Sequence, residues 1–360
     1  MKKAWRVPWS RPDIRPADRQ AMIRVINSDW YTMGPRVQRF EDHLRTYLDM
    51  PYAAAVNSGT SALDVALKII GIRAGDEVIV PALTYIATAN AVLYNQATPV
   101  FVDVDESLNL DPERLEEKIT ERTKAVIVVD FGGNPASYDR ICRIARSHGF
   151  ALVVDGAQSL GAMYHGAQCC TQGRINTTSF HMAKLISTVE GGMVFTRTKA
   201  DYVKACQIRN QGETEKYVHE TLGHNYRMTD IAAAMGDSQF RRFASILRKR
   251  RRYARYYQES LKNIEFPYEA PGTKNSYFLF PILVEHRDAL KRHLVNHQIE
   301  TRVTYPLPIN RQPLYHLYSQ EIFPDAERAS KQILSLPIDG GLTEEQQQYV
   351  IKKVNSFTQK

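Results

Sequence analysis

Cysteine is scarce in this sequence, and long apolar runs are missing from it. The four cysteines among 360 residues have neither the paired spacing of metal ligands nor the density of a disulfide scaffold, so we expect free thiols and no bound metal. No stretch approaches the roughly 20 apolar residues of a transmembrane helix, and residues 1–6 do not lead into the apolar core of a signal peptide. We therefore expect a soluble cytoplasmic protein without a membrane partner.

Acidic side chains are outnumbered in this chain. It carries 47 lysines and arginines against 39 acidic residues, a net charge of +8 at pH 7, which suits an anionic substrate and equally suits weak contact with nucleic acid. The densest basic run, residues 248–252, lies within a segment over residues 240–264 whose apolar residues roughly follow helical spacing. We interpret the run as a solvated helix face. No DNA-recognition motif accompanies it, so no nucleic-acid partner is expected.

Helical and strand-like segments alternate from about residue 58 to residue 155, at the spacing of a parallel sheet with crossover helices. The apolar stripe of residues 60–70 predicts a helix that ends at Gly71. The fold class is therefore α/β. Strands are predicted at residues 77–81, 99–104, 125–129, 150–154 and 192–196, and helices at residues 87–94 and 138–148.

The apolar content of 43% is enough for a large core and a second, smaller domain. We predict a large α/β domain over residues 1–240, which includes an N-terminal arm. A smaller α/β C-terminal domain follows over residues 241–360, and the basic helix leads into it.

Four separated segments carry side chains suited to a phosphate-bearing ligand. They are residues 57–63 (NSGTSAL), 155–158 (DGAQ), 179–184 (SFHMAK) and 223–228 (GHNYRM). A Ser-Gly-Thr sequence that opens a helix offers free backbone amides and the positive end of the helix dipole to a phosphate. It is equally suited to be a plain N-cap.

Asp155 and Lys184 are the two ionisable residues on which a catalytic interpretation depends. Asp155 follows a buried strand, where a carboxylate needs a cationic partner such as a protonated pyridine nitrogen, although it could simply cap a turn. Lys184 lies in the apolar stretch 180–186, where burial would lower its pKa and supply the neutral amine that a Schiff base needs. A surface lysine is the alternative.

In this arrangement the sequence resembles the DegT/DnrJ-type sugar aminotransferases, a branch of the fold-type I enzymes that use pyridoxal 5'-phosphate (PLP) and are related to aspartate aminotransferase. The matching motifs extend over nearly the whole chain. They lie at residues 30–35, 40–41, 57–63, 80–81, 84–85, 155–158, 179–184, 190–192, 219–228, 336–337 and 342–343. The resemblance implies the PLP-dependent transferase fold, with a mainly parallel seven-stranded sheet in the large domain.

The resemblance also implies an activity. The chain would move an amino group from an amino acid, L-glutamate, to a keto sugar linked to a nucleoside diphosphate, with PLP cycling through pyridoxamine 5'-phosphate. Lys184 is similar to the lysine that holds PLP and shuttles the proton, and Asp155 to the partner of the pyridine nitrogen. Tyr85 is similar to the aromatic residue stacked on the ring, and Gln158 to the polar residue near the ring hydroxyl.

The remaining roles that the resemblance implies concern the phosphate, the dimer and the substrate. Gly59, Thr60 and Ser179 resemble phosphate ligands. Asn225 resembles an asparagine that reaches the phosphate from the neighbouring subunit, which implies a homodimer with shared active sites. Candidate substrate contacts are Thr32, His181 and Arg227.

The sequence departs from the family pattern at Ala183, at Val189, where glycine is common, and at residues 130–131, where histidine is frequent. Three alternatives to the sugar aminotransferase stay open. Related proteins aminate cyclitols or act in antibiotic pathways, and others dehydrate sugars, but the dehydrating members replace the lysine by histidine and this chain keeps Lys184. The third alternative is not an enzyme but a regulatory protein that binds PLP, or binds nucleic acid through its basic surface.

Overall fold

A computed structural model of the chain describes residues 5–11 and 13–359. Within these ranges, no helix combines the length and the apolar character needed to cross a bilayer. The helices are α1 (Pro16–Ile26), α2 (Pro35–Tyr47), α3 (Gly59–Ile70), α4 (Ala87–Tyr94), α5 (Pro112–Leu115), α6 (Tyr138–His148), α7 (Lys199–Arg209), α8 (Asp230–Phe240), α9 (Phe243–Ser260), α10 (Arg287–Asn296), α11 (Pro324–Gln332) and α12 (Glu344–Thr358).

The strands form one large sheet and several small ones. They are β1 (Tyr52–Val56), β2 (Glu77–Pro81), β3 (Thr98–Val102), β4 (Thr123–Val129), β5 (Ala151–Asp155), β6 (Met163–Tyr164), β7 (Ala167–Gln168), β8 (Ile175–Ser179), β9 (Gly192–Thr196), β10 (Glu213–Glu215), β11 (Val218–His219), β12 (Thr273–Lys274), β13 (Phe280–Leu283) and β14 (Ile333–Leu336).

The large sheet has seven strands in the order β1-β9-β8-β5-β4-β2-β3. All neighbouring pairs are parallel except those of β9, which runs against both β1 and β8. Val78 and Val80 pack in the cluster that contains α3 and α4, whereas Ile79 between them joins the cluster of α6 on the other face. Helices therefore cover both faces of this part of the sheet. The predicted α/β class with a mainly parallel seven-stranded sheet is confirmed.

Most predicted elements agree with the structure to within two residues. The strands predicted at residues 77–81 and 192–196 and the helices predicted at residues 87–94 and 138–148 have the predicted bounds. The strand expected at residues 99–104 lies instead at Thr98–Val102. Helix α3 ends before Gly71, which takes the left-handed conformation with φ of +82° that only glycine adopts without strain.

A third buried cluster contains the C-terminal elements. Tyr257 of α9, Phe280 of β13, Leu290 of α10 and Val350 of α12 pack together there, and β13 pairs with β14. The division of the chain into residues 1–240 and 241–360 stays a prediction.

The interpretation of residues 248–252 as a solvated face is wrong for the middle of the run. Arg250 is 5% exposed, and its Nη1 donates to the carbonyl oxygens of Tyr277 (2.7 Å) and Phe278 (3.1 Å). Arg251 donates to the carbonyl oxygens of Asn275 and Gly161. These arginines attach α9 to the loops around it, because their guanidinium groups satisfy carbonyl oxygens that have no partner in a strand or helix.

Candidate active site

A cavity of about 430 Å³ opens at the carboxyl ends of β5 and β8. This is the edge at which ligands collect in an open parallel sheet. Its volume lies in the range of small-molecule and cofactor sites. The predicted residues that line it are Gly59, Thr60, Tyr85, Asp155, Gln158, Ser179, His181 and Lys184. Three of the four predicted segments, residues 57–63, 155–158 and 179–184, therefore meet at one cavity together with Tyr85.

One end of the cavity is built from the first turn of α3. The Ser58 hydroxyl caps the helix by accepting from the amide of Ser61 at 3.0 Å. The amides of Gly59 and Thr60 precede that capped amide and point out of the helix at its positive end, as an anion requires. A Cβ built on Gly59 would lie 2.7 Å from the Cβ of Ser179. Only glycine allows the Ser179 hydroxyl to approach this turn.

Asp155 ends strand β5 and lies inside the cavity wall, only 4% exposed. Its Oδ2 accepts from the hydroxyl of Thr88 at 2.8 Å, and its Oδ1 accepts from the amide of Ala157 at 3.2 Å. Burial raises the pKa of Asp155, and these two donors and Lys184 oppose the rise. A cationic group bound beside the carboxylate would oppose it further, because it favours the charged form.

Lys184 borders the same cavity and is electrostatically coupled to Asp155. Burial of its ammonium group lowers the pKa of Lys184 to about 8, and the carboxylate of Asp155 partly offsets this fall. A substantial fraction of the amine is therefore neutral near physiological pH, as a nucleophilic lysine requires. The nitrogen lies 4.0 Å from the centroid of the Phe278 ring.

Two aromatic rings and one side-chain amide also line the cavity. The rings of Tyr85 and Tyr305 lie 6.1 Å apart between centroids. The Gln158 side chain accepts from the amide of Gly132 at 2.9 Å, which fixes its orientation. An anion-binding helix start, a buried carboxylate, a lysine of lowered pKa and an aromatic wall fit the phosphate, the pyridine nitrogen, the aldehyde and the ring of PLP, respectively.

His181 lies at the exposed rim of the cavity, where its Nε2 is 3.8 Å from a carboxylate oxygen of Glu190. Its Nδ1 accepts from the amide of Ala183 at 3.3 Å. The ring is thereby oriented by the chain that carries Lys184. This position is compatible with substrate contact.

The other three predicted residues do not line the cavity of their own chain. The Arg227 guanidinium donates to the Asn210 side chain at 2.8 Å, and the Thr32 hydroxyl contacts the carbonyl oxygen of Met228 at 3.5 Å. Asn225 is exposed. Their predicted roles stay predictions.

Several residues at the site were not expected from the sequence. One is Thr88, whose hydroxyl donates to Asp155. The sequence could have indicated it, because Thr88 lies in the first turn of the predicted helix that follows Tyr85. Trp9, Phe278 and Tyr305 line the cavity from distant parts of the chain. No local pattern marks these three.

Comparison with known proteins agrees with this geometry. The model of the DegT/DnrJ/EryC1/StrS aminotransferase family matches residues 12–355. GDP-perosamine synthase of Escherichia coli O157:H7 is 34% identical over 359 residues, with 98% of each chain covered. The dTDP-3-amino-3,6-dideoxy-alpha-D-galactopyranose transaminase of Aneurinibacillus thermoaerophilus is 34% identical over 342 residues, with 94% of each chain covered.

A solved structure gives the same result. The crystal structure of DesV from S. venezuelae in complex with a ketimine intermediate matches with a TM-score of 0.96 and 35% identity, over 99% of this chain and 100% of that one. The predictions of the family, of the PLP-dependent transferase fold, of aminotransferase activity and of PLP as the cofactor are confirmed.

Proposed function

We propose that this chain, which belongs to the DegT/DnrJ/EryC1/StrS aminotransferase family, transfers the amino group of L-glutamate to a keto sugar linked to a nucleoside diphosphate. The products would be 2-oxoglutarate and the amino sugar nucleotide. The observation that carries the proposal is the pairing of Lys184 with the buried Asp155 across one cavity. GDP-linked and dTDP-linked sugars in the names of two relatives support the substrate class.

Bound PLP supplies an electron sink for the carbanion that forms at the substrate carbon. The chain's own residues would do the rest. Lys184 would hold the cofactor, and its amine would carry the proton to and from the reacting carbon, a contribution typically worth about 10² to 10⁴ in rate. Asp155 would keep the ring nitrogen cationic, and Tyr85 would stack on the ring.

The phosphate would be held by the first turn of α3 and by Ser179. The free amides of Gly59 and Thr60 supply donors and a favourable dipole, and the Ser179 hydroxyl adds a further donor. Gln158 would contact the ring hydroxyl. These assignments are supported by the common cavity that the residues line.

We further propose that the enzyme is a homodimer whose active sites are shared, with Asn225 of one subunit reaching the cofactor phosphate of the other. The exposed position of Asn225, outside the cavity of its own chain, supports this arrangement. His181 at the cavity rim is the best-supported candidate for sugar contact. Thr32 and Arg227 would contribute only across the subunit interface. The proposed location is the cytoplasm.

The proposal is tested with purified protein, nitrogen-15-labelled L-glutamate and a panel of keto sugars linked to GDP, dTDP or UDP. Mass spectrometry should detect a labelled amino sugar nucleotide from at least one substrate, and none with Lys184→Ala. Conversion of PLP to pyridoxamine 5'-phosphate by glutamate, without amination of any sugar nucleotide, would contradict the substrate class and favour a cyclitol. Failure of both half-reactions in a PLP-loaded protein would favour a regulatory role, a reading that the name of one relative, pleiotropic regulatory protein, also suggests.

A further inference from the structure

Asp64 is a buried carboxylate in the middle of α3, and the chemistry proposed above does not use it. Its side chain is 1% exposed. Oδ1 accepts from the ammonium of Lys68 at 2.7 Å and from the side-chain amide of Asn95 at 2.9 Å. Oδ2 accepts from the hydroxyl of Tyr226 at 3.0 Å. A buried carboxylate is costly unless donors satisfy it, so each of these partners is held firmly.

Tyr226 belongs to a different part of the chain, the segment of residues 224–226. Burial and the carboxylate of Asp64 raise the pKa of Tyr226, so its hydroxyl keeps the proton that it donates. The ring of His224 stacks on that of Tyr226 with centroids 4.6 Å apart, and its Nε2 lies 3.7 Å from Oδ2 of Asp64. Two side chains of this segment therefore face Asp64.

The backbone of the segment is extended and is bound on both sides. The backbone amide of His224 donates to the carbonyl oxygen of Ile208 at 2.7 Å. The backbone amide of Asn57 donates to the carbonyl oxygen of Tyr226 at 2.8 Å. In an extended chain, successive side chains point to opposite sides. Because His224 and Tyr226 face Asp64, the Asn225 between them faces away, and Asn225 is indeed exposed.

The same segment is also tied to the phosphate-binding end of α3. The side-chain amide of Asn57 donates to the carbonyl oxygen of Asn225 at 3.3 Å. The side-chain oxygen of Asn57 accepts from the hydroxyl of Ser61 at 2.6 Å. One helix thus builds the phosphate site of its own chain and fixes the backbone that carries Asn225.

We propose that Asp64 is a positioning residue for Asn225: through Tyr226 it holds the 224–226 segment so that Asn225 is presented to the cofactor phosphate of the other subunit. This inference rests on the proposed shared active site. It predicts that loss of the Asp64–Tyr226 hydrogen bond weakens PLP binding in the neighbouring subunit and leaves PLP binding in the same subunit unchanged.

Heterodimers with one lysine-bearing site test this directly. In the first, a wild-type chain is paired with a Lys184→Ala, Tyr226→Phe chain, so the single lysine-bearing site receives Asn225 from the altered chain. In the second, a Tyr226→Phe chain is paired with a Lys184→Ala chain, so the site receives Asn225 from an intact segment. PLP is titrated into each apoprotein, and the visible absorbance of PLP attached to Lys184 reports binding.

PLP affinity should fall about tenfold in the first heterodimer, the size expected when one charge-assisted hydrogen bond loses its geometry, and should stay unchanged in the second. An effect in the second heterodimer only, or equal effects in both, would overturn the proposal, because the hydrogen bond would then act within its own chain. Tyr257→Phe is the control, since it removes the hydroxyl of another tyrosine that donates a hydrogen bond, in this case to the carbonyl oxygen of Pro337 at 2.9 Å. It should change PLP affinity in neither arrangement.

Asn225→Ala in the same two arrangements separates this inference from the proposed function. If Asn225→Ala has no effect across the subunits, the shared active site itself is wrong. If Asn225→Ala acts across the subunits but Tyr226→Phe does not, only the role of Asp64 is wrong. Asp64→Asn, which keeps an oxygen acceptor for Tyr226, should lower PLP affinity less than Tyr226→Phe does.

Discussion

The ammonium nitrogen of Lys184 lies 4.0 Å from the centroid of the Phe278 ring. An aromatic face attracts a cation and favours the protonated amine, whereas burial favours the neutral amine. Burial has the larger effect, because the pKa of Lys184 falls to about 8. We therefore expect the Phe278 ring, like the carboxylate of Asp155, to limit the fall in the pKa of Lys184.

We expect Phe278→Leu to lower the pKa of Lys184 further. A cation–π contact is worth about 0.5 to 2 kcal/mol, and 1.36 kcal/mol corresponds to one pH unit. The rate at which the apoprotein takes up PLP should rise with pH as Lys184 loses its proton, with a midpoint near pH 8 in the wild type. The variant should reach its midpoint about one pH unit lower. Phe101→Leu is the control, because Phe101 is buried but does not line the cavity, and it should leave the midpoint at the wild-type pH. A wild-type midpoint in Phe278→Leu would contradict the account.

Thr88→Val should reduce turnover by about 10-fold to 100-fold, because the charged form of Asp155 loses a hydrogen bond worth about 1.5 to 3 kcal/mol. The pKa of Asp155 should rise, so the acidic limb of the pH–kcat profile should move to higher pH. Thr177→Val removes a buried hydroxyl that donates to the carbonyl oxygen of Val154 at 3.1 Å, and kcat should change little. Equal kcat values for the two variants would show that Thr88 has no special role.

Val189 has a φ of +70° and is 55% exposed, in the loop that follows Lys184. A left-handed conformation costs an L-residue about 1 to 2 kcal/mol, and a glycine avoids that cost. Glycine also increases the conformational entropy of the unfolded chain, which lowers the free energy of unfolding by about 0.4 to 1 kcal/mol. We expect Val189→Gly to raise the free energy of unfolding by up to about 1 kcal/mol, measured by denaturant titration. Val203→Gly, in helix α7, should lower it by a similar amount. Destabilisation by both substitutions would argue against strain at Val189.

Arg250→Leu should lower the free energy of unfolding by about 3 kcal/mol, because two buried carbonyl oxygens lose their donor. Arg252→Ala, which breaks an ion pair between two exposed side chains, should cost less than about 1 kcal/mol. Denaturant unfolding measures both. A small effect at position 250 would mean that water replaces the guanidinium.

The buried position of Arg250 was available in the sequence, although the basic run concealed it. Positions 243, 247, 250, 254 and 257 of α9 recur every three or four residues, and all of them except position 250 are apolar. The arginine is tolerated there because its head group reaches the carbonyl oxygens of the loop that precedes β13. A count of charges predicts a solvated face, whereas the helical period predicts a buried one.

The cavity was predictable in the parts that follow from sheet geometry. Asp155 and Ser179 end two strands, and the carboxyl ends of parallel strands share one edge, so their meeting follows from the strand pattern. Phe278 and Tyr305 reach the cavity from the C-terminal part of the chain, and only tertiary packing brings them there. Asn225 shows a different limit, because its predicted partner belongs to another copy of the chain.

Reduction of the PLP-loaded protein with borohydride, followed by digestion and peptide mass spectrometry, tests the central claim most directly. The cofactor should be fixed as a secondary amine on the peptide that contains Lys184, and Lys184→Ala should carry no label. A label on another lysine, or failure of the folded wild-type protein to take up PLP, would contradict the assignment of the site.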